Sequence, residues 1–397
     1  MGLWLILLLP VLSSAEVTGS TITITAIAQD LVVPVSIGNP PQNFTMTLST
    51  GFEGIWIGGV NCKSCSALLY TFNCSSSDSC VETKDYYTED FRKSELTGYI
   101  ASDIFRLGSI QVKVNFTIGD NYPLKSWEEL ESDGVLGLGI NSNFLKALTD
   151  ELKPFTIAAS SDTPVIMFGS HATYKGSKSS LKSSDHWEIE LDRLGYGNFY
   201  NTDTPDNVRF ESEIEQIYLP SKSFSDFKDK YITANCFKAD DHFNSAEYNG
   251  NDLYYCYCNG GGPGELPKFN FILKDHRYGL SSGDYMESAF VDENSITYCG
   301  LGIAKSGSSD VILGFSFLNN FEATFDAVDK EVYIKGGQNM SFWVIFDLNL
   351  ALTGGILFTV LLITIIVFGI KRHRRLKAES ESSTVEFSHV PHTINPA

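Results

Sequence analysis

A chain of 397 residues, 43% of them hydrophobic, holds enough apolar material for two domain-sized cores, and its 29 Lys and Arg against 48 Asp and Glu leave a formal charge of −19. That acidity excludes nucleic acid and anionic membrane surfaces as partners of the bulk of the chain. The residues after Ile370 run the other way, with five basic side chains against Glu379, Glu381 and Glu386.

In chain order, Leu3 to Leu12 is apolar except for Pro10 and leads to Ser13-Ser14-Ala15. This is the pattern of a cleaved secretory signal over residues 1–15, too short to be a membrane span. Alternating β-branched residues in Thr21-Ile22-Thr23-Ile24-Thr25, and again from Val112 to Ile118, predict strands, and closely spaced glycine turns extend that reading to an almost all-β ectodomain. The polar stretch Gly176 to Ser184 is expected to be a solvated connection between a first lobe, 16–183, and a second, 184–345. The loop Asn259 to Gly264 is glycine-rich, but no P-loop lysine follows it, so it is not a phosphate cradle.

Near the carboxyl end, Leu350 to Ile370 is 21 residues long without a charge, and Lys371, Arg372, Arg374, Arg375 and Lys377 follow at once. These features predict a transmembrane helix over 350–370 with a cytoplasmic tail, 371–397, and hence a type I membrane protein at the cell surface or an endolysosomal membrane. All eight cysteines precede the span: Cys62, Cys65, Cys74 and Cys80 in the first half, Cys236, Cys256, Cys258 and Cys299 in the second. An even count in an exported segment predicts disulfides within each group of four, with three pairings open to each, rather than a metal site. Sequons at Asn43, Asn73, Asn115 and Asn339 agree with export, although Asn43 falls in a predicted strand.

Two segments carry the chemistry. The first runs from Val35-Ser36-Ile37-Gly38-Asn39-Pro40-Pro41 through Leu48-Ser49-Thr50-Gly51 to Ile55-Trp56-Ile57 and resembles the amino-terminal active-site loop of pepsin-like aspartic peptidases. Asp133 to Gly139 is similar to the apolar, glycine-ended element of that family's first lobe, and Val311-Ile312-Leu313-Gly314 to its partner in the second. The likeness extends from about Asp30 to Lys335, and it implies a bilobal pepsin-like fold and a cleft that takes an extended peptide or a protein segment, with no cofactor and no metal. It also makes Cys256 or Cys258 the expected partner of Cys299.

The family's second catalytic aspartate precedes a proline by nine residues. Counting back from Pro220 reaches Glu211-Ser212-Glu213. The resemblance therefore places Ser49 and Glu211 where the two catalytic aspartates belong, with Asp192 and Asp203 as remoter alternatives for the second. Such aspartates share one proton, so that one serves as base and the other as acid. Ser49 supplies no base at acidic or neutral pH, Glu211 reaches one methylene too far, and Glu213 adds a like charge where a glycine is expected. Phe91 stands in for the flap tyrosine, and Arg92 and Ser94 replace more pliant glycines. Thr50, Gly51 and Ser212 are expected to preserve the loops, and Trp56 to pack in the core. The family's basic pro-segment has no counterpart in Glu16 to Gln29, which hold no Lys or Arg. Three readings remain: an inactive peptide-binding homologue, an atypical endopeptidase using Glu211, and an adhesion or structural ectodomain whose cleft has closed.

Overall fold

The computed structural model describes residues 18–27, 30–65, 68, 70–92, 94–121, 132–197, 199–200, 205–232, 236–238, 254–258, 266–291 and 297–339. Residues up to Gln338 form one compact unit. The signal segment, the apolar stretch 350–370, the basic tail, Asp203 and the Asn259 to Gly264 loop lie outside the described residues. Among the described residues no helix is long and apolar enough to cross a membrane.

The architecture is mostly β, as the alternating patterns require. Gly19–Thr23 buries Ser20 and Ile22 on one face, and Ile110–Asn121 buries Ile110, Val114 and Phe116 on one face, with Val112 partly buried, before Thr117 breaks the alternation. The first half forms an eight-stranded sheet in the order Thr25–Ile27, Asp30–Ile37, Gln42–Ser49, Gly134–Gly137, Ile55–Gly58, Ile110–Asn121, Ser94–Leu107, Val81–Phe91. It curls on itself where Ser36 and Ile37 pair with Arg106 and Phe105. The second half holds two five-stranded sheets and one of four. A six-stranded sheet takes Gly19–Thr23, Phe155–Ala158 and Val165–Gly169 from early in the chain and Ala323–Asp326 and Glu331–Ile334 from late in it. This arrangement matches the bilobal pepsin-like fold.

One expectation is corrected. The Gly176 to Ser184 stretch is not simply a solvated connection, because Ser177–Ser180 is a strand of the six-stranded sheet, paired with Glu331–Ile334. Its polar composition conceals a period of two: Ser177 and Ser179 are buried, and the Ser177 hydroxyl bonds the buried Tyr278 hydroxyl. Lys178 instead points outward to Glu331.

All eight cysteines are paired within their own half: Cys62–Cys65, Cys74–Cys80, Cys236–Cys256 and Cys258–Cys299. Of the two partners considered for Cys299, the bonded one is Cys258. Asn43 and Asn115 are exposed on their strands, whereas Asn73 caps a short 3-10 turn by accepting from the Ser75 amide. The side chain of Asn339 lies outside the described residues.

Candidate functional site

Two loops meet at the site, and both are built by the same local rule. Gln42–Ser49 runs parallel to Gly134–Gly137, which pairs antiparallel with Ile55–Gly58. In the second half Asn207–Phe210 runs parallel to Val311–Leu313, which pairs antiparallel with Ile217–Pro220. Each arrangement holds the chain between its two outer strands as a tight loop. Pro220 then ends its strand and opens the helix Ser221–Tyr231, which packs Phe224 and Phe227 inward.

Reciprocal hydrogen bonds clasp the loops together. The Thr50 amide donates to Ser212 Oγ at 3.1 Å and the Ser212 amide to Thr50 Oγ1 at 2.9 Å. Each hydroxyl also donates at 2.9 Å to a carbonyl opposite, Thr50 to Phe210 and Ser212 to Leu48. Thr50 and Ser212 are thus equivalent positions. Two glycines confirm the register: a Cβ on Gly137 would strike the carbonyl oxygens of Phe52 and Gly54, and one on Gly314 those of Ile214 and Gln216. The pairs Ser49 with Glu211 and Gly51 with Glu213 follow, so the structure brings together Ser49, Thr50, Gly51, Glu211, Ser212 and Glu213. Asp192 is elsewhere, accepting from the Asp275 amide at an exposed turn.

The carboxylate beside Ser49 comes from Glu213. Ser49 is fully buried; its Oγ accepts from the Phe52 amide at 2.9 Å, and its hydroxyl lies near enough to the Glu213 carboxyl to favour its charged form. The Gly51 amide also donates to Glu213 Oε2, at 3.3 Å. Gly51 is needed there, since a Cβ would land on Glu213 Oε1 and press on Glu211 Cγ at 3.1 Å. Glu211 turns toward Arg209, whose Nη1 lies 3.3 Å from Oε1. Arg209 reaches on to Asp310 at 3.9 Å, and its buried Nε has no partner among the described residues.

Burial pushes the Glu211 carboxyl up to about 7, aided by the charge of Glu213 and opposed by Arg209. Burial also raises Glu213, opposed by its own backbone amide and then by Ser49, the Gly51 amide and the Arg92 charge. Both carboxyls are therefore harder to ionise than an ordinary carboxylate, each charge opposing the other. Among the described residues no cluster of His, Cys, Asp or Glu is arranged to hold a metal.

The hairpin of Val81–Phe91 and Ser94–Leu107 covers these loops, and contacts from Phe91, Thr97, Glu89 and Arg92 hold it down. Phe91 packs edge-on to Phe52 at 5.5 Å and joins Trp56, Leu96 and Val135 in a small apolar cluster. Trp56 is buried as expected, its indole donating to the Thr97 carbonyl at 3.1 Å. Glu89 accepts from the amides of Glu53 and Gly54 at 2.9 and 3.2 Å. At the tip Arg92, with φ +45°, donates from Nε to the Glu213 carbonyl at 2.9 Å and pairs through Nη2 with Asp30.

The family model for eukaryotic aspartyl proteases matches residues 31–335. The chain belongs to that family. Vacuolar protease A of Aspergillus fumigatus is 23% identical over 321 residues, covering 75% of this chain and 76% of the relative. Cathepsin E of Mus musculus is 26% identical over 329 residues, covering 75% and 78%. Pregnancy-associated glycoprotein 2 of Sus scrofa is 29% identical over 180 residues, covering 40% and 43%.

Within this aspartyl-protease frame, four side chains escaped the sequence reading as parts of the site: Asp30, Glu89, Arg209 and Arg92, the last noted only for lost flexibility. Arg209 was findable, because it lies two positions before Glu211 on a strand and so shares its face. Asp30, Glu89 and Arg92 act through tertiary approach. No local pattern marks them.

Proposed function

We propose that this protein is a membrane-anchored, catalytically inactive member of its family, a pseudoprotease that binds an extended peptide across its two loops without cutting it. The observation that carries this reading is at Ser49: the first loop holds a serine, not a carboxylate, at the position equivalent to Glu211, and the carboxylate nearest it, from Glu213, accepts from the Gly51 amide. A water placed there lacks a base on the first loop and an acid opposite, since Glu211 faces Arg209. Peptide binding needs neither group, because an extended chain is held through its backbone. In this reading residues 1–15 are a removed signal, 16–183 and 184–345 the two lobes, 350–370 the anchor and 371–397 a cytoplasmic tail, with exported sequons glycosylated at the cell surface or in an endolysosomal membrane.

The second reading is an atypical endopeptidase. Its support is Glu211, whose carboxyl is pushed up to about 7 by burial and the nearby charge of Glu213. One assay separates the two: cleavage of an unfolded protein by the purified full chain and by Glu211→Gln. Absence of turnover in both is expected. Robust wild-type turnover abolished by Glu211→Gln would establish the endopeptidase instead.

A further inference from the structure

The tip of the covering hairpin places a cation beside two carboxyl groups, Asp30 and Glu213, with Glu211 turned to a second cation. Asp30, Glu211 and Glu213 are all buried or nearly so; of the two guanidiniums near them, Arg209 is engaged by Glu211 and Asp310. Arg92 answers the rest. It bonds the Glu213 carbonyl and Asp30 at once, with its guanidinium 5.2 Å from the Phe91 ring centre. The Asp30 side chain is only 3% exposed, and Arg92 is its one charged partner among the described residues.

We propose that this is a cation subsite for the peptide ligand, occupied in the unliganded protein by the protein's own Arg92, and that the ligand carries an arginine which displaces it. The inference rests on the peptide-binding reading above. A peptide lying across the loops must lift the hairpin tip, and lifting it separates Arg92 from Asp30. A neutral peptide would then cover Asp30 with no partner, and an unpaired buried carboxylate is costly. An arginine side chain restores both contacts, because a planar guanidinium can address a carboxylate and a carbonyl together. Lysine has one charged point and restores them less well. Arg92 thereby acts as a self-ligand that filters out peptides without a guanidinium.

The test uses the purified full chain and two small probes, N-acetyl-argininamide and its uncharged citrulline counterpart. In Arg92→Ala the vacated subsite should take the arginine probe, raising the thermal midpoint by about 3–5 °C at roughly ten times its Kd. The citrulline probe should not raise it. Wild type, whose subsite is filled, should show little difference between probes. Adding Asp30→Asn to Arg92→Ala should abolish the arginine-specific shift. An equal response to both probes in Arg92→Ala, or a shift that survives Asp30→Asn, overturns the inference. Arg92→Gln, which keeps the length of the side chain, carries the same comparison if the alanine variant does not fold. Fluorescent hexapeptides with one central arginine or citrulline, read by anisotropy, separate this from the broader reading. Equal binding of both peptides by Arg92→Ala overturns the cation subsite alone, and binding of neither by any variant overturns the peptide-binding function itself.

Discussion

Thr50 and Ser212 lie 162 positions apart and exchange amide-to-hydroxyl hydrogen bonds in both directions, each hydroxyl passing its own proton to a carbonyl of the opposite strand. All four bonds are buried, and together they fix the separation of the two loops at the site. The four bonds run through Thr50 and Ser212 and not through Ser49, Glu211 or Glu213, so they hold the loops whatever those positions present. The clasp and the chemistry are separable.

That separability gives a stability prediction. Thr50→Val leaves the Ser212 amide and the Phe210 carbonyl without their hydroxyl partner, and each buried polar group so orphaned costs about 1–3 kcal/mol. Urea unfolding should show a loss of roughly 2–4 kcal/mol for Thr50→Val. Ser212→Ala should be comparable, and the double variant should fall short of the sum because the partners are shared. Additive losses would mean that the two hydroxyls act independently.

Restoring catalysis should require three changes. Ser49→Asp alone places a second carboxylate against Glu213 and should remain inactive. Ser49→Asp with Glu211→Asp and Glu213→Gly removes that congestion and supplies both acids. The triple variant should cleave unfolded protein at acidic pH at least ~100-fold above background, the lower range expected of one positioned general base. Activity of the single variant equal to that of the triple would show that Glu213 is no obstacle.

Glu211 makes stability depend on pH. Its carboxyl rises from 4.5 to about 7 on folding, so between those values the folded chain binds the proton that the unfolded chain has released. The stabilisation is fully present below about 4.5 and is lost as pH rises through about 7. Glu211→Gln, a permanent mimic of the protonated form, should flatten this slope. The difference between wild type and variant should change by on the order of 2–3 kcal/mol from pH 4.5 to pH 8 in urea titrations. An unchanged slope would place the titrating group elsewhere.

Topology can be checked in cells. An antibody against Ser388 to Ala397 should stain only after permeabilisation, because in the proposed topology the basic cluster after Ile370 faces the cytoplasm. Removal of N-glycans should shift the protein, with Asn115→Gln and Asn43→Gln each removing one step, since both side chains are exposed. Asn73, whose side chain caps a turn, should be occupied less. Staining of intact cells by the tail antibody would reverse the orientation.

What the sequence disclosed follows from the reach of local patterns. The second loop was legible because the resemblance implies a proline nine residues after the catalytic position, and Pro220, which ends its strand, stands at that spacing from Glu211. The correspondence of Gly137 with Gly314 came from the resemblance, and the structure gives its reason: both pass a facing loop without room for a Cβ. The strand Ser177–Ser180 was misread because serine is a poor marker of burial, and its pairing with Glu331–Ile334 depends on residues far along the chain. That Glu213 and not Glu211 approaches Ser49 depends on Arg209 drawing Glu211 aside, a competition of charges that spacing alone does not reveal.

The six-stranded sheet joins its early and late contributions where Phe155–Ala158 meets Ala323–Asp326, with Phe155 stacked on Phe325 at 5.1 Å and Trp187 donating to the Leu138 carbonyl at 2.8 Å. Two fragments made by cutting the chain between its halves would each carry a raw strand edge and half of an aromatic seam. Neither is equipped to persist alone, and each is the other's best solvent shield. Mixed after separate synthesis, they should find one another as a noncovalent pair, so evolution can rewrite either loop only within limits set by a seam that both halves share.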